Sequence, residues 1–376
     1  MKLLHIITGL DSNGAERMLQ RLIESHEGDA RFQHSVISLT TRGRIGDQLV
    51  ARGIEVHVLG MKSLAGMFGV IWKLVRLIRA AKPDIVQTWM YHADFLGGIA
   101  ARLAANKRVI WGVRTTDIGS AGTRLTVALA KVCAWMSYFV PKSIVCAAEA
   151  SRRSHISVGY DSSRMVVVPN GFDVSRLVAA PEQVASLRNT YPFGSDALVF
   201  GCLGRFHPAK DHQNFVRAAG LIAKRVPNAV FVMIGGGLDA KNAELASWIA
   251  ETGCADRFVL LGQRTDVPVC LASLDVFCMP SRTEGFPNVV GEAMAMGVPC
   301  VVTDVGDAAM LIGDTGRVVP KEDAKALADG LLEFAQMAPE ARQSFGLRAR
   351  ARIYSTFTMV QSREQFETLY HQLMKA

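Results

Sequence analysis

Two carboxylates, Glu284 and Glu292, stand eight positions apart in the run Pro280-Ser281-Arg282-Thr283-Glu284-Gly285-Phe286-Pro287-Asn288-Val289-Val290-Gly291-Glu292-Ala293-Met294-Ala295. Pro287 suits the first turn of a helix, and Gly285 loosens the loop before it. This reading puts Glu284 just outside the helix and Glu292 about two turns inside it. Between the two carboxylates lies the start of the helix. Its unpaired N–H groups favour an anion. Carboxylates that accept hydroxyl hydrogen bonds, beside amides that face phosphate, suit a sugar diphosphate.

A second cluster, Gly204-Arg205-Phe206-His207-Pro208-Ala209-Lys210-Asp211, carries two cations. Arg205 offers a planar donor fork and Lys210 a point charge, and both types stabilise a departing diphosphate. By themselves they are also compatible with an ordinary charged surface. A third stretch, Gly9-Leu10-Asp11-Ser12-Asn13-Gly14-Ala15-Glu16-Arg17, leads from an apolar run into a helix. Gly14 would let a ligand approach the backbone closely. The spacing is not the dinucleotide G-x-G-x-x-G, which argues against a dehydrogenase. A tight strand-to-helix turn explains it equally well. In Trp89-Met90-Tyr91-His92-Ala93-Asp94, His92 is placed to hydrogen-bond a sugar or a reacting oxygen, or else to cap the helix that follows. Asp94 is a weaker companion. Arg114, Thr115 and Thr116 are acceptor-binding candidates by position alone.

These residues share one kind of location: each follows a short apolar run. LLHIIT, HSVISL, EVHVLG, DIVQTW, RVIWGV and SIVCAA alternate with helical segments at 15–26, 71–81 and 93–105. After MVVVPNGFD the rhythm pauses in a polar stretch to about Ser195. It resumes with LVFGCLG, AVFVMIG, RFVLLG, VFCMP and PCVVTD. Alternation of this kind predicts two open, largely parallel sheets with helices on both faces. The expected domains are residues 1–171 and 172–356, with a final helix over 357–376 packing back on the first. Ligands of such sheets bind beyond the carboxyl ends of the strands. Two sheets facing one another would enclose an interdomain cleft.

The 376 residues are 49% hydrophobic and 20% charged, which supports two cores and excludes a disordered chain. MKLLHIITGL reads as a buried first strand rather than a leader, because Asp11 and Asn13 follow at once. The apolar stretch around 128–140 is broken by Lys131 and is too short to span a bilayer. Seven cysteines at irregular spacing predict reduced thiols in a cytoplasmic protein. No zinc spacing and no Asp-x-Asp pair occurs, so no metal cofactor is expected. Residues 1–171 hold 22 Lys and Arg against 12 Asp and Glu, a balance of +10, while the remainder stands at −2. No aromatic-interleaved nucleic-acid motif accompanies the basic half. Its expected partners are an anionic membrane surface or an anionic acceptor, with a solvated basic face as the plain alternative. The segment from Ile71 to Arg79 is apolar with cations at helical spacing. It reads as a packed surface helix or as a shallow membrane contact.

With these motifs in order, the chain resembles the family 4 retaining glycosyltransferases of the GT-B fold over nearly its whole length. Their Glu-x7-Glu signature falls on Glu284 and Glu292. Their Gly-Arg…Lys element falls on Arg205 and Lys210. The glycine-rich first loop, the Pro-Asn-Gly linker and the Gly-Asp-Thr-Gly…Val-Pro segment at 313–320 also match. The resemblance implies that Glu292 holds the ribose hydroxyls and Glu284 the donor sugar, and that main-chain amides from Gly285 to Val289 face the sugar and diphosphate. It implies that Arg205 and Lys210 bind the pyrophosphate, with Gly14 approaching it from the other domain and His92 near the sugar. Asn13 departs from the family's Gly-Gly pair. The implied reaction is metal-independent, retaining transfer of a hexose from a UDP- or GDP-sugar to a lipid-linked or polysaccharide acceptor, by same-face attack. The rivals are a glycosidase, a non-catalytic nucleotide-sugar binding subunit, and a GT-B epimerase or phosphorylase.

Overall fold

The computed structural model describes residues 1–11, 14–61, 67–116, 118, 124–190 and 196–375. The chain divides into two compact units: Met1–Gly171 with Met359–Ala376, and Phe172–Thr358. In the first unit the elements run β1 (Lys2–Ile7), α1 (Gly14–Ser25), β2 (Gln33–Ser38), α2 (Gly43–Ala51), β3 (Glu55–Val58), α3 (Met67–Ala81), β4 (Ile85–Trp89) and α4 (Tyr91–Leu103). There follow β5 (Val109–Val113), α5 (Arg124–Met136), β6 (Ser143–Cys146), α6 (Glu149–Ser157) and β7 (Met165–Val167). The second unit has α7 (Pro181–Thr190), β8 (Leu198–Leu203), α8 (His212–Ala223), β9 (Ala229–Ile234), α9 (Ala243–Glu251), β10 (Phe258–Gly262) and α10 (Val267–Ala272). It continues with β11 (Val276–Met279), α11 (Asn288–Ala295), β12 (Cys300–Thr303), α12 (Ala308–Ile312), β13 (Arg317–Val319), α13 (Ala324–Gln336) and α14 (Pro339–Thr356). Helix α15 (Met359–Lys375) then belongs to the first unit.

Every strand pair is parallel, in the orders β3-β2-β1-β4-β5-β6-β7 and β10-β9-β8-β11-β12-β13. The central strands are buried along nearly their whole length, as a sheet covered on both faces requires. In the first unit α3, α4 and α5 pack on one face. Helices α1 and α15 pack on the other. Strand order reverses beside β1 in the first sheet and beside β8 in the second. The loops after β1 and β4, and those after β8 and β11, therefore splay apart and open a crevice at each sheet's carboxyl edge.

Several boundaries differ from the sequence reading. Strands β7 and β13, three residues each, are too short to carry a periodic signal. The polar stretch before Ser195 contains α7, whose weak amphipathicity hides it. The last helix starts at Met359, not Phe357, because Phe357 O accepts from Phe172 N at 2.8 Å and stays with the second unit. Helix α15 is pinned on the first sheet by buried Phe366 and Tyr370, and Tyr370 Oη donates to Gln87 Oε1 at 2.6 Å.

Candidate functional site

In the second unit, three neighbouring strands deliver the predicted residues to one corner. Strand β8 leads into Gly204 and Arg205, β11 into Pro280 and Ser281, and β12 into Asp304. A single turn of 3-10 helix, Pro208–Lys210, follows β8, capped by His207 Nδ1 accepting from Ala209 N at 3.2 Å. Arg282 N donates to Ala209 O at 2.8 Å, which ties the loop after β11 to this turn. Arg282 Nε also lies 3.1 Å from Asp211 Oδ2. The result places Lys210 Nζ 2.6 Å from Glu284 Oε1. Ser281 Oγ donates to the same oxygen at 2.7 Å, and Thr303 Oγ1 holds Ser281 O at 2.6 Å.

Ser281 and Thr303 were missed by sequence reasoning. A serine three residues before a carboxylate was a usable signal, whereas Thr303 is joined to the site only by strand adjacency. Gly306 was missed too. Its φ is +59°, and a Cβ there would overlap the carbonyl oxygens of Glu284 and Gly285. Asp307 N donates to Gly285 O at 3.0 Å, so the loop after β12 supports the Glu284 backbone directly.

Helix α11 begins at Asn288, with Pro287 as its N-cap. Glu292 is therefore one turn inside the helix, not two, and it is buried. The amide of Val290 is already bonded to Pro287 O at 3.0 Å. Val289 N lies one residue ahead of it, in the part of the turn that α-helical geometry leaves without an intrahelical acceptor. Phe286 is buried against Phe172 and Phe357, with ring centroids 6.0 Å apart in both contacts, and this anchors the loop from Gly285 to Pro287. Beneath Lys210, buried His212 stacks on Phe206. Burial, then the charge of Lys210, lowers the His212 imidazole to about 4, so the ring is neutral at pH 7. Arg205 follows β8 and is exposed.

The first unit places Gly14 and His92 at its own order reversal, after β1 and β4. Gly14 is the exposed first residue of α1, and Asn13 lies outside the described residues. His92 is the second residue of α4, half-buried, and burial holds its imidazole below the ordinary value. Met90, just before it, has φ +73°, a left-handed conformation that a non-glycine residue keeps only under constraint. The constraint is visible: Met90 N donates to Gly112 O at 2.9 Å and Met90 O accepts from Asp94 N at 2.8 Å.

Asp94 is not a free companion of His92. It is fully buried, and Thr88 Oγ1 donates to its Oδ1 at 2.5 Å. Burial pushes its carboxyl well above the carboxylate range, and its bond from Thr88 fixes the strand–helix turn. Arg114 is likewise committed inside the unit. Its Nη1 donates to Asn170 Oδ1 at 2.6 Å, its guanidinium lies 4.8 Å from the Trp89 ring centre, and burial lowers it to about 10. The carbonyls of Thr115 and Thr116 accept from Ser151 Oγ and Ser154 Oγ, at 2.7 and 2.5 Å. Each of the three thus has at least one contact inside the first unit.

Comparison with known proteins agrees with the two-sheet architecture. The family described as Glycosyltransferase Family 4 matches residues 12–176, and that described as Glycosyl transferases group 1 matches residues 197–337. A Mycolicibacterium smegmatis relative is 33% identical over 278 residues, 68% of each chain. It is a GDP-mannose-dependent alpha-(1-6)-phosphatidylinositol monomannoside mannosyltransferase. An Escherichia coli relative, UDP-Gal:alpha-D-GlcNAc-diphosphoundecaprenol alpha-1,3-galactosyltransferase, is 27% identical over 82% of this chain and 79% of its own. The crystal structure of Anabaena Alr3699/HepE in complex with UDP-glucose superposes with a TM-score of 0.84 at 22% identity, covering 98% of this chain and 99% of that one. The chain belongs to the family 4 glycosyltransferases and has the GT-B fold. All seven of its cysteines are buried free thiols. Among the described residues, no helix is long and apolar enough to cross a membrane.

Proposed function

We propose that this chain transfers a hexose, with retention, from a UDP- or GDP-sugar to a lipid-linked or polysaccharide acceptor. The observation that carries the donor site is the Lys210–Glu284 pair, set where the order of the second sheet reverses. An arriving diphosphate takes Lys210 as its counter-ion, joined by Arg205 and the amides of Gly285, Phe286, Asn288 and Val289. Glu284, relieved of the ammonium, accepts hydroxyl hydrogen bonds from the sugar. Glu292 accepts those of the ribose. The sugar's bond to the diphosphate oxygen breaks as the acceptor oxygen bonds to the same face. The acceptor's proton passes to a diphosphate oxygen. Cationic side chains and helix-end amides oppose the growing charge, so the reaction needs no metal ion or other cofactor.

The mannosyl and galactosyl relatives act on lipid-linked acceptors according to their names, which supports an acceptor of that class here. We place the enzyme in the cytoplasm, peripheral on the inner face of the membrane. A panel of nucleotide sugars tested by thermal shift identifies the donor, because a ligand bound only by the native state raises the melting midpoint. Anomeric NMR of the product then reads the stereochemistry. An inverted product removes the same-face mechanism. Donor binding without turnover on any acceptor makes the chain a binding subunit.

A further inference from the structure

The sheet face covered by α3, α4 and α5 has an outer surface unlike the rest of the first unit. Helix α3 buries Val70, Leu74, Val75 and Ile78 inward. It leaves Phe68 77% and Trp72 66% exposed, one turn apart. Helix α5 buries Ala130, Cys133, Ala134 and Met136, and turns Trp135 outward at 68% exposure. Exposed Phe139 meets the Trp135 ring edge-on at 4.7 Å, and Val132 and Leu125 extend the same apolar stripe. Large aromatics this exposed cost free energy in water, and grouped on one face they mark an interaction surface.

The charge on this face identifies its partner. Residues 67–81 and 124–142 contain no Asp or Glu, but they hold Lys73, Arg76, Arg79, Arg124, Lys131 and Lys142. Helix α4 packs against both α3 and α5, so the two stripes lie on one layer, about two helix spacings or roughly 20 Å apart. A second copy of the chain docking face to face would oppose cation to cation, which disfavours a dimer through this surface. An anionic interface with an apolar layer beneath it satisfies both features. Trp and Tyr settle at headgroup depth, while Lys and Arg stems lie along the apolar region with their charges at the phosphates.

We propose that the outer face of α3 and α5 docks on an anionic lipid bilayer, with Trp72 and Trp135 entering the headgroup–acyl boundary. This surface shares no residue with the donor site, so binding and transfer fail independently in experiments. The test uses the full chain and vesicles of phosphatidylcholine with or without phosphatidylglycerol. Binding is expected only to the anionic vesicles and should weaken as salt is raised. Brominated acyl chains should quench tryptophan fluorescence. In W72F/W135F, binding should persist and the quenching should disappear, because the remaining Trp89 and Trp111 are fully buried and Trp248 lies in the second unit. Lys73→Gln with Arg76→Gln should lower the affinity roughly thirtyfold, and W72S/W135S on the order of tenfold. All these positions are exposed, so the variants should melt as the parent does. Equal binding to neutral vesicles, or anionic binding without quenching, overturns the proposal. Full competition by soluble glycerol phosphate at matched concentration overturns it in favour of a headgroup-sized anion site. A dimer that W72S/W135S dissociates assigns the face to a second copy and overturns it as well.

Discussion

Lys210 Nζ and Glu284 Oε1 are 2.6 Å apart at the carboxyl edge of the second sheet, and Ser281 shares the carboxylate oxygen. The pair is partly shielded, with 27% of the lysine side chain and 12% of the glutamate side chain exposed. Each charge is the other's counter-ion, and the ammonium is held at the carboxyl edge of the sheet. The arrangement stores a preorganised cation without exposing it fully to water.

Lys210→Ala and Arg205→Ala should each lower kcat about a hundredfold, or about 3 kcal/mol, with little change in melting temperature. The charge they oppose is larger in the transition state than in bound donor, so the loss should appear in kcat and not only in KM. Lys210→Arg should rescue only in part, because a planar fork does not reproduce a point charge held against Glu284. Steady-state kinetics beside thermal melts check this. Near-normal kcat in folded variants would move the diphosphate elsewhere.

Glu292→Gln should weaken nucleotide binding while leaving kcat at saturating donor nearly intact. A bond to the ribose exists equally in ground and transition states, so its loss is uniform binding. Calorimetry with the nucleotide diphosphate measures it, and unchanged affinity would contradict the assigned role.

Activity should survive EDTA at a concentration that strips divalent ions. Abolition by chelator, with recovery on adding magnesium or manganese, would overturn the metal-free reaction.

Gly306→Ala should damage the site from outside it. The residue has φ +59°, and the added Cβ would overlap the carbonyl oxygens of Glu284 and Gly285. A loss of about 1–3 kcal/mol in stability is expected from the strain, together with weaker donor binding as Glu284 shifts. Urea denaturation and calorimetry read the two effects. An unchanged donor affinity would show that the loop after β12 does not position Glu284.

Stability should fall as pH drops below about 6.5. His5 Nε2 lies 2.9 Å from His34 Nδ1, and His34 Nε2 lies 3.2 Å from His26 Nδ1, in a buried chain that ends at Glu367. Trp89 Nε1 donates to His5 Nδ1 at 3.3 Å, so a neutral His5 ring carries its proton on Nε2 and donates to His34, while His26 Nδ1 also lies 3.1 Å from Leu22 O. Burial, followed by the neighbouring imidazoles, holds His5 well below its ordinary value and His34 at about 3. Both pKa values are depressed in the fold, so the unfolded chain binds more protons between pH 6.5 and the folded values. Stability is therefore complete above 6.5 and declines below it, by at most about 3 kcal/mol per pH unit for two histidines. Melting temperature against pH checks the slope, which His34→Phe should flatten.

Local chemistry was enough to read much of this protein. Buried parallel strands must be nearly continuous apolar runs, so eleven of them stand out in the sequence as Val- and Ile-rich segments. The residues after those runs, including Arg205, Lys210, Glu284 and Glu292, are conspicuous because polar groups there follow the apolar ends abruptly. The three-residue strands β7 and β13 lack the length to show any period. The tertiary structure alone decided which loops meet. Ser281, Thr303 and Gly306 act on Glu284 because β11 and β12 are adjacent and β8 borders β11, an order set by crossover connections rather than by any local pattern. The same holds for Asp94, read as a weaker companion of His92, and for Arg114, an acceptor candidate by position alone. Burial and specific partners hold one within a turn, its carboxyl pushed up, and set the other over Trp89. A sequence states a residue's chemical type, but its protonation and its free valences depend on the neighbours that long-range packing brings.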